Sequence, residues 1–178
     1  MVNCVYILLG SNIDKERNLP EAVRRLATLT RVTAVSSVYE TAPVGLEDQP
    51  HFFNAAVLAE TELPAATFRT QVLARVEQLL GRVRTADKNA PRTIDADMIL
   101  FNDAVFDLDE THHIPDPELL EFPHIAVPIA EIAPDMVHPE TDQRLEEIAA
   151  QLAASPAGSG QPALCRRTDI RLDSLLGE

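Results

Sequence analysis

The order in which strand-like and helix-like segments follow one another is the feature that most constrains the fold of this chain. Short runs of β-branched and aliphatic residues alternate with longer segments whose apolar residues recur every three or four positions. The predicted order is strand, helix, strand, strand, helix, strand. The strands are expected at Val5–Leu9, Val32–Tyr39, Phe52–Ala59 and after Arg92, and the helices from near Asn18 and at Pro64–Gly81. This order predicts an α+β fold, namely a ferredoxin-like antiparallel sheet with helices packed on one face. A length of 178 residues favours a single domain.

Local signals predict where the two helices begin and end. Asn18, with Glu21 three residues later, resembles a capping box, and Pro20 suits an early helical position. Pro64 is expected to open the second helix. Gly81 suits the left-handed position that follows a helix C-terminus.

The C-terminal third of the chain is less regular. Residues 114–128 contain four prolines and are predicted to form an ordered but irregular loop, whereas 143–152 has helical spacing. The run 155–162 is rich in Ser, Gly and Pro and is typical of a flexible linker. We therefore predict a domain at 1–154, followed by a linker and a short appendage of unknown role at 155–178.

The distribution of charge favours a small anionic ligand and argues against a nucleic acid. The net charge is −13, whereas nucleic-acid binding requires a positive surface. Between Gly81 and Arg92, however, four cations and one anion give a local charge of +3, so the remainder of the chain carries −16. A single basic loop on an acidic protein indicates a site for a small polyanion.

Cysteine use and hydropathy predict the cellular setting. Cys4 and Cys165 have neither metal-binding spacing nor a disulfide framework, which favours a reducing compartment. The apolar run at 1–9 is too short and too weakly basic for a signal peptide, and no run approaches the ~20 residues of a membrane span. We expect a soluble cytoplasmic protein with no membrane partner, either a monomer or a homodimer.

Two aspartates lie in the strand predicted after Arg92. Asp95 and Asp97 are two positions apart, so both carboxylates point to the same side of the strand. Two carboxylates this close are able to share a pair of Mg²⁺ ions, because Mg²⁺ prefers one or two carboxylates plus substrate phosphates. The alternative interpretation is a strand with a solvated face that carries two acids.

Several motifs, spread from Val5 to Leu152, together carry a resemblance to one family. They are Tyr6–Asn12, Ser36–Gly45, Asp48–Pro50, Phe53–Val57, Glu77 with Gly81–Arg84, Pro91–Asp97 and Pro128–Pro134. In this order they resemble the 6-hydroxymethyl-7,8-dihydropterin pyrophosphokinases of the folate pathway. The resemblance implies transfer of a pyrophosphoryl group from ATP to the hydroxymethyl group of a reduced pterin, with release of AMP.

The resemblance also implies which residues handle ATP. Asp95 and Asp97 would hold two Mg²⁺ ions and, with the phosphate-contacting Arg82 and Arg92, form the catalytic set. A guanidinium fork suits phosphate oxygens. The ATP-binding set implied by the resemblance is Glu77, Arg82, Arg84, Lys88, Arg92 and His124, although Glu77, Arg84 and Lys88 are equally compatible with a solvated surface.

A second set of residues is implied for the pterin. Asn54 matches an asparagine at the pterin edge, where an amide supplies both a donor and an acceptor. Phe52 falls at a stacking position, although only one of Phe52 and Phe53 can face the site. The full set implied by the resemblance is Thr41, Pro43, Val44, Phe52, Asn54, Asp95 and His124.

The chain departs from the family pattern in the segment before Pro128. Asp116 stands where the family usually has histidine, Phe122 where it has arginine, and His124 where it has a stacking phenylalanine. Asn89 replaces a common tryptophan in the closing loop. His124 is expected either to keep the stacking role or to supply a hydrogen bond or positive charge. The alternative is a repacked loop in which Phe122 is buried.

Three functions are therefore compatible with the sequence. The first is an active pyrophosphokinase for 6-hydroxymethyl-7,8-dihydropterin. The second is the same chemistry with a different acceptor, because the altered residues border the pterin position. The third is a non-catalytic module that binds a nucleotide or a pterin, against which the retention of Asp95 and Asp97 argues.

Overall fold

The computed structural model describes residues 1–45, 48–155 and 163–176. Its strands are β1 (Asn3–Ser11), β2 (Arg31–Val35), β3 (Val38–Thr41), β4 (Phe52–Thr61), β5 (Asp95–Phe101), β6 (Phe106–Asp109), β7 (His112–Ile114) and β8 (Leu164–Arg167). The α-helices are α1 (Lys15–Leu29), α2 (Ala65–Phe68), α3 (Ala74–Leu79), α4 (Pro123–Ile132) and α5 (Leu145–Ala153). A π-helical turn, Arg69–Leu73, joins α2 to α3.

An antiparallel sheet forms the centre of the molecule. Its strand order is β5-β1-β4-β3-β8, and β2 also pairs with β4. The second predicted strand is thus two strands, β2 and β3, separated at Ser36 and Ser37. Ser36 explains the break, because its side-chain Oγ accepts a hydrogen bond from Ala56 N at 2.8 Å where strand pairing would supply a carbonyl. The α+β prediction is confirmed.

Helices cover both faces of the sheet, so the predicted one-sided layer is wrong. On one face, α1, α2 and α3 pack on a core that includes Ile7, Val57 and Met98. On the other face, α4 and α5 pack on Leu8 and Ile99. Neighbouring strand positions point to opposite faces, which is why Ile7 and Leu8 enter different cores.

The helix α4 begins within the segment 114–128, which is predicted to be an irregular loop, and extends past its end to Ile132. Pro123 is its first residue, where the missing N–H is not needed and the fixed φ favours a helix. Pro128 is inside the helix, where it removes one backbone hydrogen bond. Burial of Ile125 and Ile129 against the sheet stabilises the helix despite that loss.

The predicted helix ends are partly correct. Gly81 has φ +70°, as expected after a helix C-terminus. The capping box is wrong, because α1 begins at Lys15 and Asn18 lies within it. Asn18 instead donates from Nδ2 to the carbonyl of Ile13 at 2.7 Å.

The C-terminal appendage joins the sheet. Residues 164–167 pair with β3, and Leu172 is buried in the core beneath α1. The predicted linker, apart from Ser155, lies outside the described residues. In the ranges that the structure describes, no helix is long and apolar enough to cross a membrane.

Candidate active site

Two adjoining cavities open at the end of the sheet where β5 begins. The larger has a volume of about 660 Å³ and is lined by the basic loop and by residues of β7 and the turn after it. The smaller has a volume of about 380 Å³ and lies against β1, β4 and the start of α4. The residues that line both cavities are Lys88, Arg92, Asp95, Asp97, Asp116 and Glu118. A cavity lined by four cationic side chains and a less polar cavity therefore meet at a group of carboxylates.

Asp95 is held between two arginines at this junction. Arg82 donates from Nη1 to Oδ1 at 3.0 Å, and Arg92 donates from Nη1 to Oδ2 at 2.8 Å. Burial opposes ionisation of Asp95, but the two guanidinium groups outweigh it and hold the pKa of Asp95 below its usual range. Asp95 is therefore an oriented carboxylate that is ionised at neutral pH.

Asp97 has a different environment on the same side of β5. It pairs with Leu8 in the sheet and remains open to solvent in the cleft, although many protein atoms surround it. Within the described residues no group donates a hydrogen bond to its carboxylate. Desolvation, together with the negative charges of Asp95, Glu77 and Asp116, raises its pKa well above the usual value. Such a carboxylate gains most from an added cation.

The oxygen donors at the junction fit Mg²⁺. Asp95 and Asp97 present hard carboxylate oxygens, which Mg²⁺ prefers over nitrogen or sulfur. In the part of the chain that the structure describes, no three His, Cys, Asp or Glu residues are grouped to hold a metal ion by themselves. A pair of protein carboxylates completed by phosphate oxygens and water is the coordination expected for Mg²⁺.

The predicted phosphate-binding arginines lie at the wall of the larger cavity. The Arg82 side chain is only 10% exposed and also donates to the carbonyl of Ile94 at 2.5 Å. Arg92 donates to the carbonyl of Lys88 at 2.5 Å, so it anchors the basic loop. Lys88 and Arg84 also line this cavity.

Glu77 lies beneath the cavities and lines neither of them. It is buried and accepts hydrogen bonds from Ala96 N at 3.1 Å and from Arg84 Nη2 at 2.7 Å. Arg82 Nη1 is 3.5 Å away. In this structure Glu77 therefore supports Arg82, Arg84 and the start of β5.

The predicted pterin residues line the smaller cavity, with one exception. Thr41, Val44, Phe52 and Asn54 all contribute to its wall, whereas Pro43 does not. Asn54 donates from Nδ2 to Thr41 Oγ1 at 3.0 Å, which fixes the amide. Phe52 faces the cavity, while Phe53, its neighbour, is fully buried in the core. The choice between the two phenylalanines thus follows from strand alternation.

The three altered positions of the variant segment all line the smaller cavity. The Phe122 and His124 rings lie 5.3 Å apart at 42°. Asp116 caps the following turn by accepting from Glu118 N at 2.9 Å. His124 Nδ1 is buried without a hydrogen-bond partner among the described residues, and desolvation lowers the pKa of the ring to about 4. His124 is therefore neutral, which leaves Nε2 as the ring nitrogen able to meet a ligand.

Two further features of the site were not assigned from sequence. Asn12 accepts at Oδ1 from Arg92 N at 2.8 Å and donates from Nδ2 to Gln49 Oε1 at 2.7 Å. It thus joins the basic loop to the loop before β4. His112 and His113 also line the larger cavity. Asn12 belongs to the family motif Tyr6–Asn12, which could have indicated its place in the site, whereas the two histidines belong to no such motif.

The fold and the site together are typical of an α+β transferase for phosphorylated substrates. Comparison with known families makes this specific. The model of the 7,8-dihydro-6-hydroxymethylpterin-pyrophosphokinase (HPPK) family matches residues 6–134. The chain belongs to this family, and its relatives are named as pyrophosphokinases, which are diphosphotransferases.

Two of the relatives are bacterial proteins of similar size. The chain is 40% identical over 151 residues to the 2-amino-4-hydroxy-6-hydroxymethyldihydropteridine pyrophosphokinase of Bacillus subtilis, covering 80% of this chain and 88% of that protein. It is 42% identical over 135 residues to the protein of the same name from Methylorubrum extorquens, covering 74% and 84%.

Other relatives are much longer. The chain is 37% identical over 145 residues to the folic acid synthesis protein fol1 of Schizosaccharomyces pombe, covering 80% of this chain but only 19% of that protein. Among solved structures, Plasmodium falciparum HPPK-DHPS with pteroate has a TM-score of 0.61 at 12% identity, covering 86% of this chain and 43% of that one. At this identity the likeness supports the fold alone.

Proposed function

We propose that this chain transfers a pyrophosphoryl group from ATP to the hydroxymethyl group of 6-hydroxymethyl-7,8-dihydropterin, as a step in folate biosynthesis. The hydroxymethyl oxygen attacks the β-phosphorus, the bond between that phosphorus and the oxygen bridging to the α-phosphate breaks, and AMP leaves. The hydroxyl proton is released. The observation that carries the proposal is the junction, where a cavity lined by three arginines and a lysine meets a cavity lined by aromatic rings, and both share Asp95 and Asp97.

The larger cavity suits the triphosphate of ATP. Arg82, Arg84, Lys88 and Arg92 lie on one of its walls, and Arg82 and Arg92 have fixed positions because their guanidinium groups hold backbone carbonyls. Fixed cations stabilise developing charge without reorganisation. Two Mg²⁺ ions at Asp95 and Asp97 would neutralise charge on the α- and β-phosphates and align the reacting groups.

The smaller cavity suits a flat heterocycle. The Phe52 ring supplies a face for stacking, and the oriented amide of Asn54 offers hydrogen bonds to the edge of a pterin. His124, neutral and with Nδ1 buried, presents Nε2 toward this cavity. We assign it to pterin binding rather than to charge neutralisation of ATP.

We also propose a topology for the sheet. The pairing of β5 with β1, β1 with β4, and β4 with β2 and β3 supports a ferredoxin-like sheet, to which α4, α5 and β8 would be additions. Its first strand and its last (β1 and β5) are adjacent at the centre of the site. The pairing of β1 with β5 places Gly10 opposite Asp95.

The test is an analysis of the products formed from ATP, Mg²⁺ and 6-hydroxymethyl-7,8-dihydropterin. The proposal expects equal amounts of AMP and of the pterin pyrophosphate ester, identified by chromatography and by the two coupled phosphorus signals of a pyrophosphate. Formation of ADP and a pterin monophosphate would contradict it, since that outcome requires attack on the γ-phosphorus.

A further inference from the structure

The strand β8 lies outside the residues that the family model matches, yet it pairs with a strand that leads into the smaller cavity. The family match ends at residue 134, and β8 begins at Leu164. Its register on β3 sets Leu164 against Thr41 and Arg167 against Val38. Without β8, β3 would be a four-residue strand at the edge of the sheet. Short edge strands with one neighbour have weak local stability.

The end of β3 is part of the wall of the smaller cavity. Thr41 is the last residue of β3, is 3% exposed, and accepts the hydrogen bond that fixes the amide of Asn54. Ala42 and Val44, which follow, also line the cavity. A shift of β3 would therefore move both Asn54 and the loop that covers the cavity.

A group of charged residues fastens β8 to β3 and to β4. Arg167 donates from Nη1 to Glu40 Oε2 at 2.5 Å, and Lys15 donates to Glu40 Oε1 at 3.2 Å. The Arg167 guanidinium and the Lys15 ammonium lie 5.1 Å and 4.5 Å from the centroid of the Phe53 ring. Phe53 lies between Phe52 and Asn54 on β4. The two cations therefore contact the strand that carries both residues of the smaller cavity.

A second contact fastens β8 to the helix on the other face. Arg166 donates from Nε to Ser37 Oγ at 2.9 Å, and Ser37 donates to Glu131 Oε1 of α4 at 2.8 Å. Tyr39 of β3 donates from its hydroxyl to Glu131 Oε2 at 2.7 Å. The C-terminal strand, β3 and α4 are thus linked through one carboxylate, and α4 carries His124.

We infer that the C-terminal segment 163–176 is a positioning element for the pterin half of the site, with Arg167 as its principal positioning residue. The inference rests on the proposed function. The inference predicts different effects on the binding of the two substrates. The strand β8 contacts β3, which lines the smaller cavity, and supplies no residue to the larger cavity. Loss of the Arg167 contacts should therefore weaken pterin binding and leave nucleotide binding nearly unchanged.

The experiment uses the full chain with Arg167→Ala, Arg167→Lys and, as the matched control, Arg171→Ala. Arg171 is exposed on the same segment and has no hydrogen bond or ion pair within the described ranges. Calorimetry would measure the affinity for α,β-methylene-ATP with Mg²⁺, and then the affinity for 6-hydroxymethyl-7,8-dihydropterin at a saturating concentration of that analogue. Thermal unfolding of each variant would be recorded beside the wild type.

The expected result is a loss of about tenfold in pterin affinity for Arg167→Ala, with less than a twofold change for the nucleotide analogue. Arg167→Lys should recover part of the loss, and Arg171→Ala should match the wild type. An unchanged pterin affinity in folded Arg167→Ala, or an equal loss for both ligands, would overturn the inference. AMP release by the wild type tests the proposed function separately. If the wild type releases AMP but Arg167→Ala keeps its pterin affinity, the inference about β8 is refuted and the proposed function is not.

Discussion

Arg92 and Asp95 form an ion pair of 2.8 Å at the boundary between the two cavities. The same guanidinium lies 5.5 Å from the centroid of the Phe52 ring, which belongs to the smaller cavity. It also donates to the carbonyl of Lys88 in the basic loop. One side chain thus touches a proposed metal ligand, the aromatic wall and the loop of the larger cavity.

We expect Arg92→Lys to lower kcat/KM for ATP by roughly a hundredfold while thermal stability changes little. An ammonium can keep an ion pair with Asp95, but it lacks the fork needed to hold Asp95 and the Lys88 carbonyl together. Steady-state kinetics would measure the change. The control is Arg84→Lys, since Arg84 is exposed and pairs with Glu77 through a single 2.7 Å contact. Equal effects of the two substitutions would count against a special role for Arg92.

Asp97→Asn should separate stability from activity. Removing a carboxyl group whose ionised form is disfavoured by desolvation and by Asp95, Glu77 and Asp116 should raise the free energy of unfolding without Mg²⁺, by an amount that solvent screening keeps small. Turnover should fall roughly a thousandfold, because a proposed Mg²⁺ ligand is lost. Asp97→Ala should show the same loss of turnover. Urea denaturation and AMP formation would measure the two effects.

The control for Asp97 is Asp103→Asn, which removes the same charge from an exposed turn after β5. It should leave both stability and turnover close to those of the wild type. Turnover of Asp97→Asn within tenfold of the wild type would refute the assignment of this carboxylate.

The central part of the fold was predictable because its signals are local. The alternation in β5 places Asp95 and Asp97 on one side, and Gly81 marks the end of a helix. The helix α4 was not predictable from prolines alone, because Pro128 disfavours a helix that burial of Ile125 and Ile129 stabilises. Tertiary packing, rather than local sequence, determines that this segment is helical.

The composition of the site was predicted better than its connections. Asp95, Arg92 and Asn54 line the two cavities, and each belongs to a motif that the sequence alone displays. The supporting position of Glu77 and the contact of Arg167 with Glu40 are long-range relationships. No local pattern encodes them, since each depends on which strands become neighbours.

We expect His124→Phe to remove part of the acid sensitivity of the fold. His124 titrates at about 4 when folded and near 6.5 when unfolded, so below pH 6.5 the unfolded chain binds a proton that the native protein does not. Stability from this residue is full above pH 6.5 and declines as the pH falls toward 4. Between pH 7.5 and pH 5 the wild type should lose roughly 2 kcal/mol that His124→Phe retains.

Denaturant titration at pH 7.5 and pH 5 would measure this difference. The control is His51→Phe, at a histidine whose side chain is 57% exposed. Parallel losses in the wild type and in His124→Phe would show that burial of His124 does not contribute to the pH dependence.

Asn12→Ala should disturb the site through two loops at once. The substitution removes the hydrogen bonds to Arg92 N, Gln49 Oε1 and Pro50 O, and Asn12 is only 2% exposed. We expect a loss of about 2 kcal/mol in stability and a higher KM for both substrates. Asn18→Ala, which removes one hydrogen bond in α1, is the control. A rise in KM for only one substrate would contradict the two-loop role of Asn12.

The most direct measurement is the rate of AMP formation from ATP and Mg²⁺, with and without 6-hydroxymethyl-7,8-dihydropterin. AMP is expected only when the pterin is present, at a rate that saturates with pterin concentration, and little AMP is expected from Asp97→Asn. A folded wild-type protein that binds ATP and the pterin yet forms no AMP would contradict the proposed transfer and would favour a binding module or a different acceptor.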